Sequence, residues 1–311
     1  MEPAGTLVLE LDPEREQTYA LFREGRTATS NAALLLFVSV GAFALAALPG
    51  GNPVDIVVVI GVLFFHELGH WAAMRLSGYR NTSIFFIPFF GAATSGRSVD
   101  GSPWKEGVVL LAGPVPGLLL AIPVLGLGIV WRDDVVKHAG WTLIGVNAFN
   151  LLPLMPFDGG RLFELVLFRR HPALEGGFRA CAVAGLGALA FWLRSMGLGL
   201  VTFFMLMTFS LQGRIRRAVD GLRGSLDPVA LPGALAPEEL DRLYDAARNI
   251  QRSAQVKPRQ RADLMLQLLD RLRMRTPGWA ASVGLLGAWV GALLVAVAGV
   301  VFAAVMTRLA G

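Results

Sequence analysis

The sequence predicts an all-α polytopic membrane protein of about six to seven transmembrane helices, and three observations lead there. Of its 311 residues 54% are hydrophobic and the mean hydropathy is +0.56, well above a soluble globular domain. Apolar runs of spanning length recur, each closed by Pro, Gly or charge. Basic residues are also divided unequally. With a cytoplasmic N-terminus and seven alternating spans, 24 of the 28 Lys and Arg fall on the cytoplasmic side, the asymmetry that orients membrane proteins.

The elements follow in order. Residues 1–30 are polar and of mixed charge, which predicts a cytoplasmic tail and no cleavable signal peptide. Residues 31–212 read as the membrane core. A first span covers 31–48 and stops at Pro49-Gly50-Gly51; a second covers about 54–76. Residues 81–104 are aromatic and β-branched but broken by Pro88, Gly91 and Gly96, too short and interrupted for a spanning helix. They predict a re-entrant β-like hairpin at membrane depth, or a hydrophobic loop packed on its neighbours. A third span at about 106–131 contains Gly113-Pro114 and Pro116-Gly117, small and kinking residues that allow close helix approach. A fourth runs to about 156, an amphipathic surface helix follows Arg161, and spans at 178–193 and 197–212 read as scaffold.

Residues 213–277 hold 13 Lys and Arg against 8 Asp and Glu, which accounts for the whole net charge of +5. Leu240, Leu243, Ala247 and Ile250 share one helical face, and Leu264, Leu268 and Leu272 another. They predict a small basic cytoplasmic helical hairpin suited to anionic lipid; no aromatic interleaving favours nucleic acid. Residues 278–311 form a C-terminal transmembrane helix.

The chemistry lies in the second span, where His66-Glu67-Leu68-Gly69-His70 forms H-E-x-x-H. Residues i and i+4 of a helix share a face, so two imidazoles can hold one metal ion, with Glu67 placed to take a proton from water. Ionisable groups inside a span mark function, because an unpaired carboxylate in hydrocarbon is costly. The fourth span ends in Asn150-Leu151-Leu152-Pro153 and then Pro156-Phe157-Asp158-Gly159-Gly160-Arg161. Asp158 is the natural third ligand, leaving a fourth position for water as in catalytic zinc sites; it is otherwise a helix-end carboxylate beside Arg161. Asn150 is either a capping or inter-helix hydrogen-bonding group or an amide donor toward an oxyanion or substrate backbone. The lone Cys181 leaves no intramolecular disulfide and no cysteine-based metal site. In this orientation His66 and Asp158 both fall toward the cytoplasmic side. An excess of Arg over Lys with much Gly and Ala points to a GC-rich bacterium, and so to its inner membrane.

The two motifs together, HELGH in a span and NLLPLMPFDGG about 80–90 residues later, resemble the site-2 protease family of intramembrane zinc metalloproteases over roughly residues 31–212. The resemblance implies one Zn2+ per chain held by His66, His70 and Asp158, with Glu67 as general base and Asn150 toward substrate. It departs at Met155, where proline is common, and at Phe157, where leucine is usual. The chain has room for neither the PDZ nor the CBS module of some members. The family implies cleavage in or near transmembrane segments of another membrane protein, a substrate that must be held extended; Ile84, Phe85, Phe86 and Gly91 are the candidates for that role, through an open strand edge. The alternative is a zinc-binding, non-proteolytic membrane protein acting as binder or regulator.

Overall fold

The computed structural model describes residues 13–24, 40–41, 52–87, 91–97, 102–155, 157–226, 232–251, 256–273 and 276–310. The first span expected over 31–48 lies outside the described residues apart from Val40 and Gly41. The chain divides into two compact units, Ser30–Met205 with Arg275–Gly311, and Met1–Thr29 with Leu206–Met274.

The larger unit is built on α2 (Pro53–Leu76), while α1 (Pro13–Glu24) belongs to the other unit. Asn52 starts this helix by accepting the Val54 N–H at 3.0 Å, and Pro53 occupies the first turn where no amide partner is needed. It ends at Ser77-Gly78, with Gly78 at φ +83°. Two antiparallel strands follow, β1 (Arg80–Ile87) and β2 (Gly91–Arg97). Ile84 pairs with Thr94, Phe85 with Ala93, Phe86 with Ala92 and Ile87 with Gly91, and both strands lie against α2.

The expected third span consists of two helices, α3 (Pro103–Ala112) and α4 (Pro114–Val130), meeting at Gly113 because Pro114 lacks the amide that would continue the ladder. α5 (Asp134–Asn150) is capped by Asp133, which accepts the Val135 and Val136 N–H groups. It stops at Asn150, several residues before the expected end, because Pro153 cannot support a further turn. The short α6 (Asp158–Phe163) runs into a π-helical turn (Glu164–Phe168). An amphipathic surface helix is expected here from the sequence. Instead Leu162, Leu165, Val166 and Phe168 are buried, so this segment is part of the core. α7 (Pro172–Trp192), α8 (Met196–Leu222) and α11 (Trp279–Ala310) are further described helices with residues in this unit.

Among the described residues four stretches are long and apolar enough to cross a bilayer: Pro53–Leu76, Pro103–Val130, Leu174–Trp192 and Trp279–Leu309. Met196–Met207 is a shorter apolar piece, and α5 has 17 residues. Val57, Leu119, Phe191 and Val297 are exposed on them, as side chains turned to lipid are. One apolar cluster joins Leu110, Leu118, Leu151, Leu162, Leu165 and Leu285, and a second joins Val62, Ala121, Leu125, Leu143 and Ile144. These two clusters lock α2, α4, α5 and α11 around the ionisable residues of α2.

In the other unit α1 (Pro13–Glu24) packs on α10 (Pro258–Arg273), which pairs with α9 (Pro237–Gln251). Leu240, Leu243, Ala247, Ile250, Leu264 and Leu268, expected to form apolar faces, are buried in one core that α1 completes with Tyr19 and Phe22. Arg261 is buried there between the Glu14 carboxylate at 2.5 Å and the Tyr244 hydroxyl at 2.7 Å.

Candidate metal centre

His66, Glu67 and His70 lie on a buried part of α2, with exposures of 2%, 6% and 6%. Their helix is apolar on every side, so only tertiary partners can satisfy them. The described structure brings Asp158 to the two histidines. Its Oδ2 lies 3.1 Å from His66 Nε2 and 3.1 Å from His70 Nε2, and the two Nε2 atoms are 3.1 Å apart.

The opposite ring nitrogens determine which atoms face this point. His70 Nδ1 is 2.7 Å from the Val109 carbonyl, which can only accept, so Nδ1 carries the proton. His66 Nδ1 is 2.8 Å from Asn147 Oδ1. The Asn147 amide cannot be turned round, because its Nδ2 donates to the Leu143 carbonyl at 2.7 Å. His66 Nδ1 therefore carries its proton as well. In their neutral form both rings turn the Nε2 lone pair toward Asp158 Oδ2, so two imidazole nitrogens and one carboxylate oxygen converge as three potential ligands of one cation. In a tetrahedral site with bonds of about 2.0–2.1 Å the donors are separated by roughly 3.3 Å, close to the triangle found here. The donor set fits one zinc ion, with a fourth position left to an outside ligand.

Close backbone approach makes the site possible. A Cβ on Gly69 would run into the Ala112 carbonyl, one on Gly113 into the His70 ring, and one on Gly117 into the Asn147 amide. Asp158 is delivered by the loop that Pro153 opens. There Gly159 and Gly160 lie so close to the Leu151 and Leu154 backbone that a side chain on either would collide with it. Phe149 and Phe157 meet edge-on at 4.5 Å across the loop. From α11, the Trp289 indole donates to the Leu151 carbonyl at 2.8 Å, and its ring meets Phe163 at 5.0 Å. Arg169, beyond Asp158, forms a two-pronged pair with Glu106 of α3 at 2.9 and 3.2 Å. α3 is the helix that supplies the Val109 carbonyl.

The other predicted residues are placed differently. Asn150 ends α5 half-buried, its Nδ2 donating to the Val146 carbonyl at 3.0 Å. Ile84, Phe85, Phe86 and Gly91 belong to the hairpin, with backbones engaged in the β1–β2 register. Asn147, the Val109 carbonyl and Trp289 are not among the residues expected at the site from the sequence. Asn147 carried a signal, a polar residue inside an apolar helix one turn before Asn150. A backbone carbonyl carries none.

Fold and site together define an H-E-x-x-H metal centre completed by a distant carboxylate and embedded among apolar helices. Residues 54–133 match the model of peptidase family M50. The chain is 31% identical over 156 residues to Rip3 of Mycobacterium tuberculosis, a candidate zinc metalloprotease, covering 47% of this chain and 38% of the relative. It is 30% identical over 135 residues to a candidate zinc metalloprotease of Synechocystis sp., covering 39% and 35%. It is 27% identical over 164 residues to a zinc metalloprotease of Methanocaldococcus jannaschii, covering 49% and 46%. The chain thus spans between a third and a half of the length of these curated relatives. The stretch that carries His66, Glu67, His70 and Val109 is thus similar to the M50 peptidases, as the motifs resemble site-2 proteases, while Asn147 and Asp158 lie beyond the matched residues.

Proposed function

We propose that this protein is an intramembrane zinc metalloendopeptidase that hydrolyses peptide bonds in or near transmembrane segments of other membrane proteins. The convergence of His66 Nε2, His70 Nε2 and Asp158 Oδ2 at 3.1 Å, beside the buried Glu67, carries the reading. A zinc ion bound there supplies Lewis acidity, which brings a water toward ionisation at neutral pH and polarises a carbonyl. Glu67 takes the proton of the attacking water and delivers it to the leaving nitrogen. Asn147 and the Val109 carbonyl keep both imidazoles aimed at the metal.

A helical substrate has its amides bonded internally and must be unwound before attack. Among the described residues β1 and β2 pair only with each other, so the outer edge of either strand is open to an extended peptide adding through main-chain bonds. Ile84, Phe85, Phe86 and Gly91 belong to this hairpin, and Asn150 is the amide assigned to the substrate backbone. We place the N-terminus, the basic segment 213–277 and the mouth of the site on the cytoplasmic side of a bacterial inner membrane. The charge distribution supports that orientation.

The test co-expresses the wild type and Glu67→Gln with a panel of tagged single-span membrane proteins. Cleavage by the wild type, abolished by chelation and absent in Glu67→Gln despite one bound zinc, is the expected result. Undiminished cleavage by Glu67→Gln would remove the assigned base. Bound zinc with no turnover on any substrate would favour a non-proteolytic zinc protein, a reading that the buried Glu67 beside the ligands argues against.

A further inference from the structure

The smaller unit contains a groove of about 510 Å3 between α8 and α9. Arg214 and Arg217 enter it from α8, and Arg242 with Asp245 from α9. Helical spacing puts Arg214, Arg217 and Gly221 on one face of α8. Among the described residues no carboxylate lies within ion-pair reach of Arg214, Arg217 or Arg242, although Arg216 on the same helix and Arg223 just beyond it both pair with Asp220. Arg217 and Arg242 each place one N–H on a backbone carbonyl, of Gly213 at 3.3 Å and Ser225 at 3.4 Å, leaving most of each guanidinium unused. Arg214 Nε is buried and has no hydrogen-bond partner. Leu222 and Ile250 form the apolar part of the lining.

Three guanidinium groups converging on one concavity suit an acceptor-rich anion, and phosphate matches their forked donors best. α8 is apolar through Met207, and Arg214 lies two turns further along the same helix, so basic side chains follow directly on an apolar stretch. We propose that this groove binds a phosphate-bearing ligand, the phosphate held by Arg214, Arg217 and Arg242 and the non-polar remainder lying against Leu222 and Ile250. The ligand is an acidic phospholipid or a soluble organic phosphate; both present the same group. The proposal stands apart from the protease reading and does not depend on it.

The experiment uses the full chain in neutral detergent with three probes: dioctanoyl phosphatidylglycerol, dioctanoylglycerol, which lacks the phosphate, and inorganic phosphate. Binding is read by native mass spectrometry and by the shift in melting temperature. Retention of phosphatidylglycerol over dioctanoylglycerol is expected, weakened about fivefold for each arginine removed in Arg214→Gln, Arg217→Gln and Arg242→Gln. The control Arg223→Gln with Arg248→Gln should bind as the wild type does. Stabilisation by inorganic phosphate without lipid retention, lost in the triple variant, assigns the groove to a soluble phosphate. Equal retention of both lipids with no phosphate effect overturns the proposal, as does an equal loss in the control, which would reduce it to general surface charge. Should the triple variant fail to fold, Arg217→Gln alone, at an exposed position, carries the comparison.

Discussion

At the scale of single residues, the centre depends on which nitrogen of each histidine is free. H-E-x-x-H places two rings on one face but leaves open whether Nδ1 or Nε2 points to the metal. Asn147 settles this for His66, because Leu143 holds its amide in one orientation. Asn147→Leu keeps the volume and removes the acceptor. Zinc affinity, measured by competition with a chelating indicator, should fall by about 10- to 100-fold. Asn147→Asp restores an acceptor and should recover much of the loss. If Leu and Asp behave alike, Asn147 only fills space.

At the scale of elements, the loop between α5 and α6 has to hold a carboxylate in place without regular backbone bonds. α11 braces it from both sides, through the Leu151 carbonyl and the Phe163 ring. Trp289→Phe keeps an aromatic ring and removes the donor, leaving a carbonyl of the fully buried Leu151 unpaired at a cost of about 1–3 kcal/mol. A lower melting temperature and weaker zinc binding are expected together. Unchanged zinc affinity would mean that Asp158 is positioned without the last helix. The π-helical turn after α6 belongs to the same arrangement, since Arg169 at its end reaches Glu106 on the helix that holds His70 through Val109.

At the scale of the whole molecule, each unit is closed by contacts between distant parts of the chain. In the smaller unit Tyr19 of α1 donates to Asp241 and accepts from Arg15, which itself pairs with Asp241 at 2.7 Å. Burial, followed by the bond to Asp241, raises the Tyr19 phenol above its ordinary value of 10.0, with Arg15 opposing. A pKa raised by folding gives stability that is fully present below about pH 10 and is lost as pH rises through the folded value. Tyrosinate absorbance of wild type against Tyr19→Phe isolates this group among the three tyrosines. The missing step should lie above the ordinary phenol range, and unit stability should decline across it. A missing step near pH 10 would show that the hydroxyl is not held in this way.

What the chain declares by itself is what short-range regularity encodes. The i and i+4 spacing of His66 and His70 is a property of any helix, and apolar runs of spanning length are their own signal. The faces of Leu240, Leu243, Ala247 and Ile250 were legible for the same reason. Asp158 was legible because prolines and glycines around a lone carboxylate at the end of a span leave it few other uses. The tertiary structure decided the remainder. Val109 contributes a carbonyl, which every residue has. Trp289 reads as one more apolar residue of a span, and Asn147 as a packing amide. Each acquires its role from a helix crossing that sequence spacing does not specify. The expected surface helix after Arg161 became core because α11 covers it, a partner more than 100 residues away in the chain. Local pattern determined which residues could meet a metal ion, whereas long-range contacts determined which atoms of those residues converge.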